Sequence, residues 1–161
     1  MNINKHITPF VIGAIISMMI CTAFQGKSDI AKQLVGEWRN QYVKIGIASH
    51  TPGGKPMVME ADTSNWEARI GIKPIRTYFK ADGSYYSEYR DLKDSIVRRP
   101  AGTWAIIKGD TLVMTQVKPQ SSVLKLHISI VKNLATFHGL IDFDGDGKDN
   151  DEYYGVQKKF N

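Results

Sequence analysis

Eleven residues near the C-terminus concentrate the chemistry of the chain: Asp142-Phe143-Asp144-Gly145-Asp146-Gly147-Lys148-Asp149-Asn150-Asp151-Glu152. Aspartate at the first, third and fifth places, followed by glycine at the sixth, is how a calcium loop surrounds a hard cation with oxygen. In that scheme Asp142, Asp144 and Asp146 supply carboxylates, Lys148 a backbone carbonyl and Asn150 the ninth-place ligand. The pattern departs at the twelfth place, where Tyr153 stands and Glu152 comes one residue early. Its flanks read as strands, so the segment is not an EF-hand. Carboxylates this dense repel one another unless something neutralises them, and an extracellular module needs a Kd of only roughly 10⁻⁴–10⁻³ M. The competing reading is a solvated acidic turn that uses Asp and Gly for their backbone preferences.

Other constellations are thinner. His127 and His138 fall opposite each other if a turn at Lys132-Asn133 pairs their segments, and two imidazoles bind zinc only when a third ligand arrives; Ser129 and Thr136 on the same face suit a solvent-facing histidine pair instead. No G-x-S-x-G elbow or other nucleophile signature occurs. Glu37, Glu60, Glu67 and Glu88 are too scattered to identify the carboxylate pair of a glycosidase. The aromatic residues Trp38, Trp66, Phe79, Tyr85 and Tyr89, with Arg98 of the Arg98-Arg99 pair at a rim, form the candidate ligand-binding set, because pockets are largely apolar with a few polar groups. Trp38 and Trp104 read as core in preference to pocket, since small barrels fill their interiors with side chains; Trp66, beside a long loop, is the better rim residue.

These groups need a scaffold, and the start of the chain bears on where it works. Residues 1–23 read as a cleaved secretory signal: Lys5 and His6 precede an apolar run at 10–20, and Cys21 and Ala23 give a small-x-small cleavage site. Ile20 and Met18 occupy positions where a lipobox prefers a small residue and Leu, which makes a lipid anchor at Cys21 the secondary reading. The apolar run is short for a bilayer core of roughly 30 Å. Cys21 is the sole cysteine among 161 residues, so a chain cleaved after Ala23 has no thiol for nucleophilic, metal or disulfide chemistry. The net charge is +5, and removal of Lys5 lowers it by one. So mild an excess serves solubility and does not indicate nucleic acid. The protein is expected to be secreted, to the periplasm.

Residues 24–161 read as one domain. A short helix is predicted over 27–35, capped by Ser28. After Gly36 the sequence turns to short alternating runs, with strands predicted at 36–47, 65–72, 75–80, 84–91, 95–98, 101–107, 111–118, 123–131, 134–142 and 152–159. Residues 49–64, rich in Pro and Gly, read as a long loop or lid. A turn at Ala81-Asp82-Gly83 sets Phe79 opposite Tyr85, Thr77 opposite Ser87, Ile75 opposite Tyr89, and Arg76 against Glu88 as a charge pair. A turn at 108–110 brings Trp104 and Ile106 to Met114 and Leu112. Strands that each have one apolar face, joined by hairpins, bury that face by curling, and closure removes free edges. The fold class is therefore all-β, an antiparallel up-and-down β-barrel, preferred to a sandwich.

Gly36-Glu37-Trp38 resembles the G-x-W signature of lipocalins and the wider calycin group. The segments 78–89 (YFKADGSYYSEY) and 101–115 (AGTWAIIKGDTLVMT) are similar to hairpins of small secreted lipocalin-like domains common in Bacteroidetes. The resemblance spans most of 34–118. It implies a barrel whose tryptophan packs on the floor beneath a basic residue from the last strand, here Lys158 or Lys159, and a small hydrophobic or amphipathic ligand in its mouth, without an organic cofactor. The alternatives are an envelope protein-interaction or inhibitor module with a filled barrel, and an enzyme on the same scaffold, for which no acid/base pair is identified. The oligomeric state is left open.

Overall fold

Trp38, Asn40, Val43, Ile45 and Ile47 are the buried residues of the first strand, and their spacing shows how it meets the core. They alternate, as one face of a strand requires, except that the register shifts by one between Asn40 and Tyr42. A bulge there keeps both halves of the strand aimed inward. The computed structural model describes residues 26–48 and 55–160; the segment 1–23 and Cys21 lie outside the described residues.

In chain order the elements are α1 (Gly26–Leu34), β1 (Gly36–Ile47), β2 (Met57–Asp62), α2 (Trp66–Ile70), β3 (Arg76–Phe79), β4 (Ser84–Arg90), β5 (Ile96–Arg98), β6 (Ala101–Ile107), β7 (Thr111–Lys118), β8 (Ser122–Val131), β9 (Leu134–Ile141) and β10 (Asp151–Phe160). The order β1-β3-β4-β6-β7-β8-β9-β10, closed by pairing of β10 with β1, makes an eight-stranded antiparallel barrel. No described helix is long and apolar enough to cross a membrane.

Two elements differ from the sequence expectation. The strand predicted over 65–72 is the helix α2. Trp66, Ala68, Ile70 and Ile72 alternate, but Trp66 and Ile70 also lie one helical turn apart, and both pack on the cluster formed by Val43, Ile45, Ile47 and Ala61. Tertiary packing thus selects the period, and Gly71, at φ 78°, ends the helix with its amide on the Glu67 carbonyl. The predicted lid over 49–64 contains β2, because its prolines and paired glycines all fall before Met57. β2 then pairs with the upper half of β1, Ile47 to Met57 through Tyr42 to Asp62, while β3 pairs with the lower half, Gly36 to Phe79 through Arg39 to Arg76. β2 and β3 are therefore two pieces of one barrel strand, separated by an excursion that holds α2.

The three hairpins have the predicted registers: Phe79 faces Tyr85, Thr77 faces Ser87, Trp104 faces Met114, and His127 faces His138. Arg76 and Glu88 are paired across the strands, yet the ion pair runs elsewhere. Glu88 accepts from Arg90 at 2.8 Å and lies 3.5 Å from Arg99, while Arg76 is 3.7 Å from Asp94. The side chains of Arg90 and Arg99 converge on Glu88 from either side and supply its ion-pair partners.

Leu34, Trp38, Phe79, Tyr85, Leu112, Leu126, Ile128, Ala135 and Phe137 form the main core, with Ile30 of α1 packed against it. The turns 81–83, 108–110 and 132–133 lie at this end, which makes it the floor. Trp38 Nε1 donates to the Leu34 carbonyl, tying α1 to the barrel. Lys159, paired with Trp38, sets its Nζ 5.5 Å above the indole ring and donates to the Gln33 carbonyl. The opposite end, where β1 stops and β10 starts, holds α2 and the acidic loop.

Candidate functional site

Above the floor the barrel holds a half-open cavity of about 140 Å³. The cavity changes chemistry across its width. Phe79, Phe137, Met114, Leu124 and Leu126 make an apolar wall, and Asn40, Thr77, Ser87, Tyr89, Tyr153 and Gln157 bring polar atoms to it. None of its described lining side chains is charged.

Strand register explains the polar band. Asn40 follows Trp38 by two residues and so shares its inward face; Gln157 is its partner on β10. Gln157 Nε2 donates to Asn40 Oδ1 at 3.3 Å, and the buried Gln157 Oε1 has no hydrogen-bond partner. Thr77 Oγ1 and Ser87 Oγ bond to each other at 2.9 Å and use part of their capacity on one another. Tyr153 lies over Gly155, where a Cβ would collide with the phenol; glycine there creates the space the ring occupies. Burial pushes the Tyr153 phenol up to about 12, with Tyr89 nearby adding to the effect. Burial also raises Tyr89 above its ordinary value, and Arg98, its guanidinium 5.4 Å from the Tyr89 ring centroid, works against that rise.

The candidate ligand residues are therefore distributed over several places. Phe79 and Tyr89 line the cavity. Trp38 and Tyr85 belong to the floor. Trp66 is buried with Val43, Ile45 and Ile47 at the opposite end, and its Nε1 meets no acceptor. Arg98 is exposed on β5 and stacks on Tyr89 from outside the cavity. No local sequence pattern marks Asn40, Gln157 or Tyr153 as a cavity residue, although the two-residue step from Trp38 to Asn40 and the Thr77–Ser87 pairing both carry the signal of a polar interior.

The acidic loop sits between β9 and β10. Asp142 accepts from the Gly145 and Gly147 amides, Asp144 from Asp146, and Asp146 from the Lys148 amide. Both glycines have left-handed φ, 79° and 85°, which lets the loop wrap around its own carboxylates. Asp142, Asp144 and Asp151 each bring an oxygen within 4.8 Å of the others. Asp151 is fully buried; its Oδ1 accepts from the Ala48 amide and its Oδ2 from the Phe143 and Asp144 amides. Of the remaining candidate ligands, the Asp146 carboxylate lies 3.3 Å from Lys148 Nζ. Asn150 donates its backbone amide to the Lys148 carbonyl. Glu152 turns to the outer face beside Gly46. Asp151 escapes a count of loop positions because strand register, not loop spacing, points it inward.

On the outer face a groove of about 860 Å³ runs past Lys44, Val58, His138, Leu140, Glu152 and Tyr154. His127 and His138 stack there with ring centroids 5.1 Å apart, and His127 Nδ1 is 3.6 Å from Asp110. Among the described residues, the only group of three or more carboxylates or imidazoles close enough to share an ion is Asp142, Asp144 and Asp151 of the acidic loop. No protein-family model and no curated protein matches this chain.

Proposed function

We propose that this protein is a secreted, lipocalin-like carrier that binds a small amphipathic molecule inside its barrel. The observation that supports the reading is the half-open cavity in the barrel, lined on one part by apolar side chains and on another by amide and hydroxyl groups. Full-sized ligand pockets measure about 300–1,000 Å³, whereas a cavity of about 150 Å³ accommodates benzene. A volume of about 140 Å³ therefore suits a single ring or a short branched chain rather than a fatty acid. The periplasm is the setting suggested by residues 1–23.

In this reading the acidic loop is a calcium-held pin. Calcium bound by Asp142, Asp144 and Asp151 would tie the start of β10 to the end of β1, since Asp151 also holds the Ala48 amide. The metal would stabilise the binding end of the barrel and take no part in chemistry.

Native mass spectrometry of protein purified from its own envelope without chelator tests the proposal. A bound low-mass organic molecule supports a carrier. A bare chain, or a chain with calcium alone, favours a second reading, an envelope interaction or inhibitor module. That reading draws on the outer groove, where Val58 and Leu140 are each more than half exposed.

A further inference from the structure

We infer that the cavity selects an uncharged ligand of about one ring that carries an N–H or O–H donor, and that Gln157 Oε1 receives that donor. The inference rests on the carrier reading above and narrows it to a chemical class. It follows from accounting for hydrogen bonds on the cavity wall. Gln157 Nε2 is committed to Asn40 Oδ1, and the hydroxyls of Thr77 and Ser87 spend one hydrogen bond on each other. Gln157 Oε1 is buried and left over. A buried carbonyl oxygen without a donor carries an uncompensated loss of hydration. A ligand that supplies an O–H or N–H removes that loss, while an isosteric hydrocarbon leaves it in place.

Charge is decided by the same wall. A carboxylate or ammonium entering the cavity would meet no opposite charge among the described lining residues to offset the hydration it loses. The face of the ligand turned away from Gln157 meets Met114, Leu124 and Leu126 on β7 and β8, so it must be apolar. Size, neutrality, one donor and one apolar face together describe phenol-like or small alicyclic alcohol or amide ligands.

Phenol, toluene and benzoate, titrated separately into the full chain, test the inference, with the Met114 methyl resonance reporting occupancy of the cavity. Phenol should shift Met114 and bind about tenfold more tightly than toluene, and benzoate should leave Met114 unmoved. In Gln157→Leu the preference for phenol should shrink to about twofold or less. Equal affinity of phenol and toluene for the wild-type protein overturns the donor assignment but leaves the barrel a ligand site. Tight benzoate binding at Met114 overturns neutrality. Failure of all three probes to move Met114 overturns both this inference and the carrier reading. The wild-type comparison decides the matter even if the Gln157 variant does not fold.

Discussion

Trp38 Nε1 donates to the Leu34 carbonyl at 2.6 Å, within the same buried cluster. Trp66 is buried as completely, yet its Nε1 meets no acceptor. Replacing either indole by phenyl removes similar apolar area. Only Trp38→Phe also strands a buried carbonyl, which adds about 1–3 kcal/mol. Trp38→Phe should therefore be the more destabilising by that margin in urea unfolding, and equal losses would contradict the hydrogen-bond assignment.

Phe79 is 3% exposed and meets Trp104 edge-on at 5.6 Å, whereas Tyr78 points outward and stacks on Tyr86. Phe79→Ala should cost about 3–5 kcal/mol, and Tyr78→Ala much less. Chemical denaturation of the two variants reads this directly; the opposite ranking would mean that the strand faces are exchanged.

The registers at Phe79 and His127 were legible because a short turn fixes which residues pair, and only one pairing puts every apolar residue on one side. The polar cavity was half legible. Thr77 and Ser87 were placed opposite each other on the apolar face, but Gln157 acquires its place only through closure of β10 on β1, a contact that no local pattern encodes. The helix at Trp66 was hidden for a related reason. Four apolar residues at alternate positions satisfy two periods at the start, and the choice falls to whatever packs above Val43 and Ile45.

The acidic loop makes a separable prediction. Asp144→Ala should abolish any calcium-dependent rise in melting temperature, because it removes one of the three carboxylates that converge there. Asp151→Asn should destabilise even the metal-free protein, by about 1–3 kcal/mol, since its two oxygens hold three backbone amides. Thermal melts with calcium and with a chelator separate the two effects. A full calcium response in Asp144→Ala would remove the metal assignment.

The Tyr153 phenol provides a pH signature. Its value of about 12 in the folded chain exceeds the ordinary 10 of an exposed tyrosine. Between these values the unfolded chain has released the proton and the folded chain has kept it. Stability should therefore fall as pH rises from 10 towards 12 and be unaffected by this group below 10. The loss amounts to about 2–3 kcal/mol across that window. Tyr153→Phe should flatten this part of the profile, measured by urea unfolding between pH 9 and 11.5, and an unaltered slope would mean that other groups carry it.

The closing seam sets the order in which this molecule can be made. β1 has its most extensive pairing with β10, from Glu37–Phe160 up to Gly46–Glu152, so β1 waits for β10 before the wall is complete. Contacts this distant in sequence are slow to form, because the chain between them must be ordered first. Until β10 arrives, one flank of β1 is an unpaired strand edge next to a partly assembled apolar interior, the kind of surface that invites aggregation. A chain of this design stays vulnerable for as long as β10 is absent from the seam, and whatever shields it must act until β10 has docked on β1.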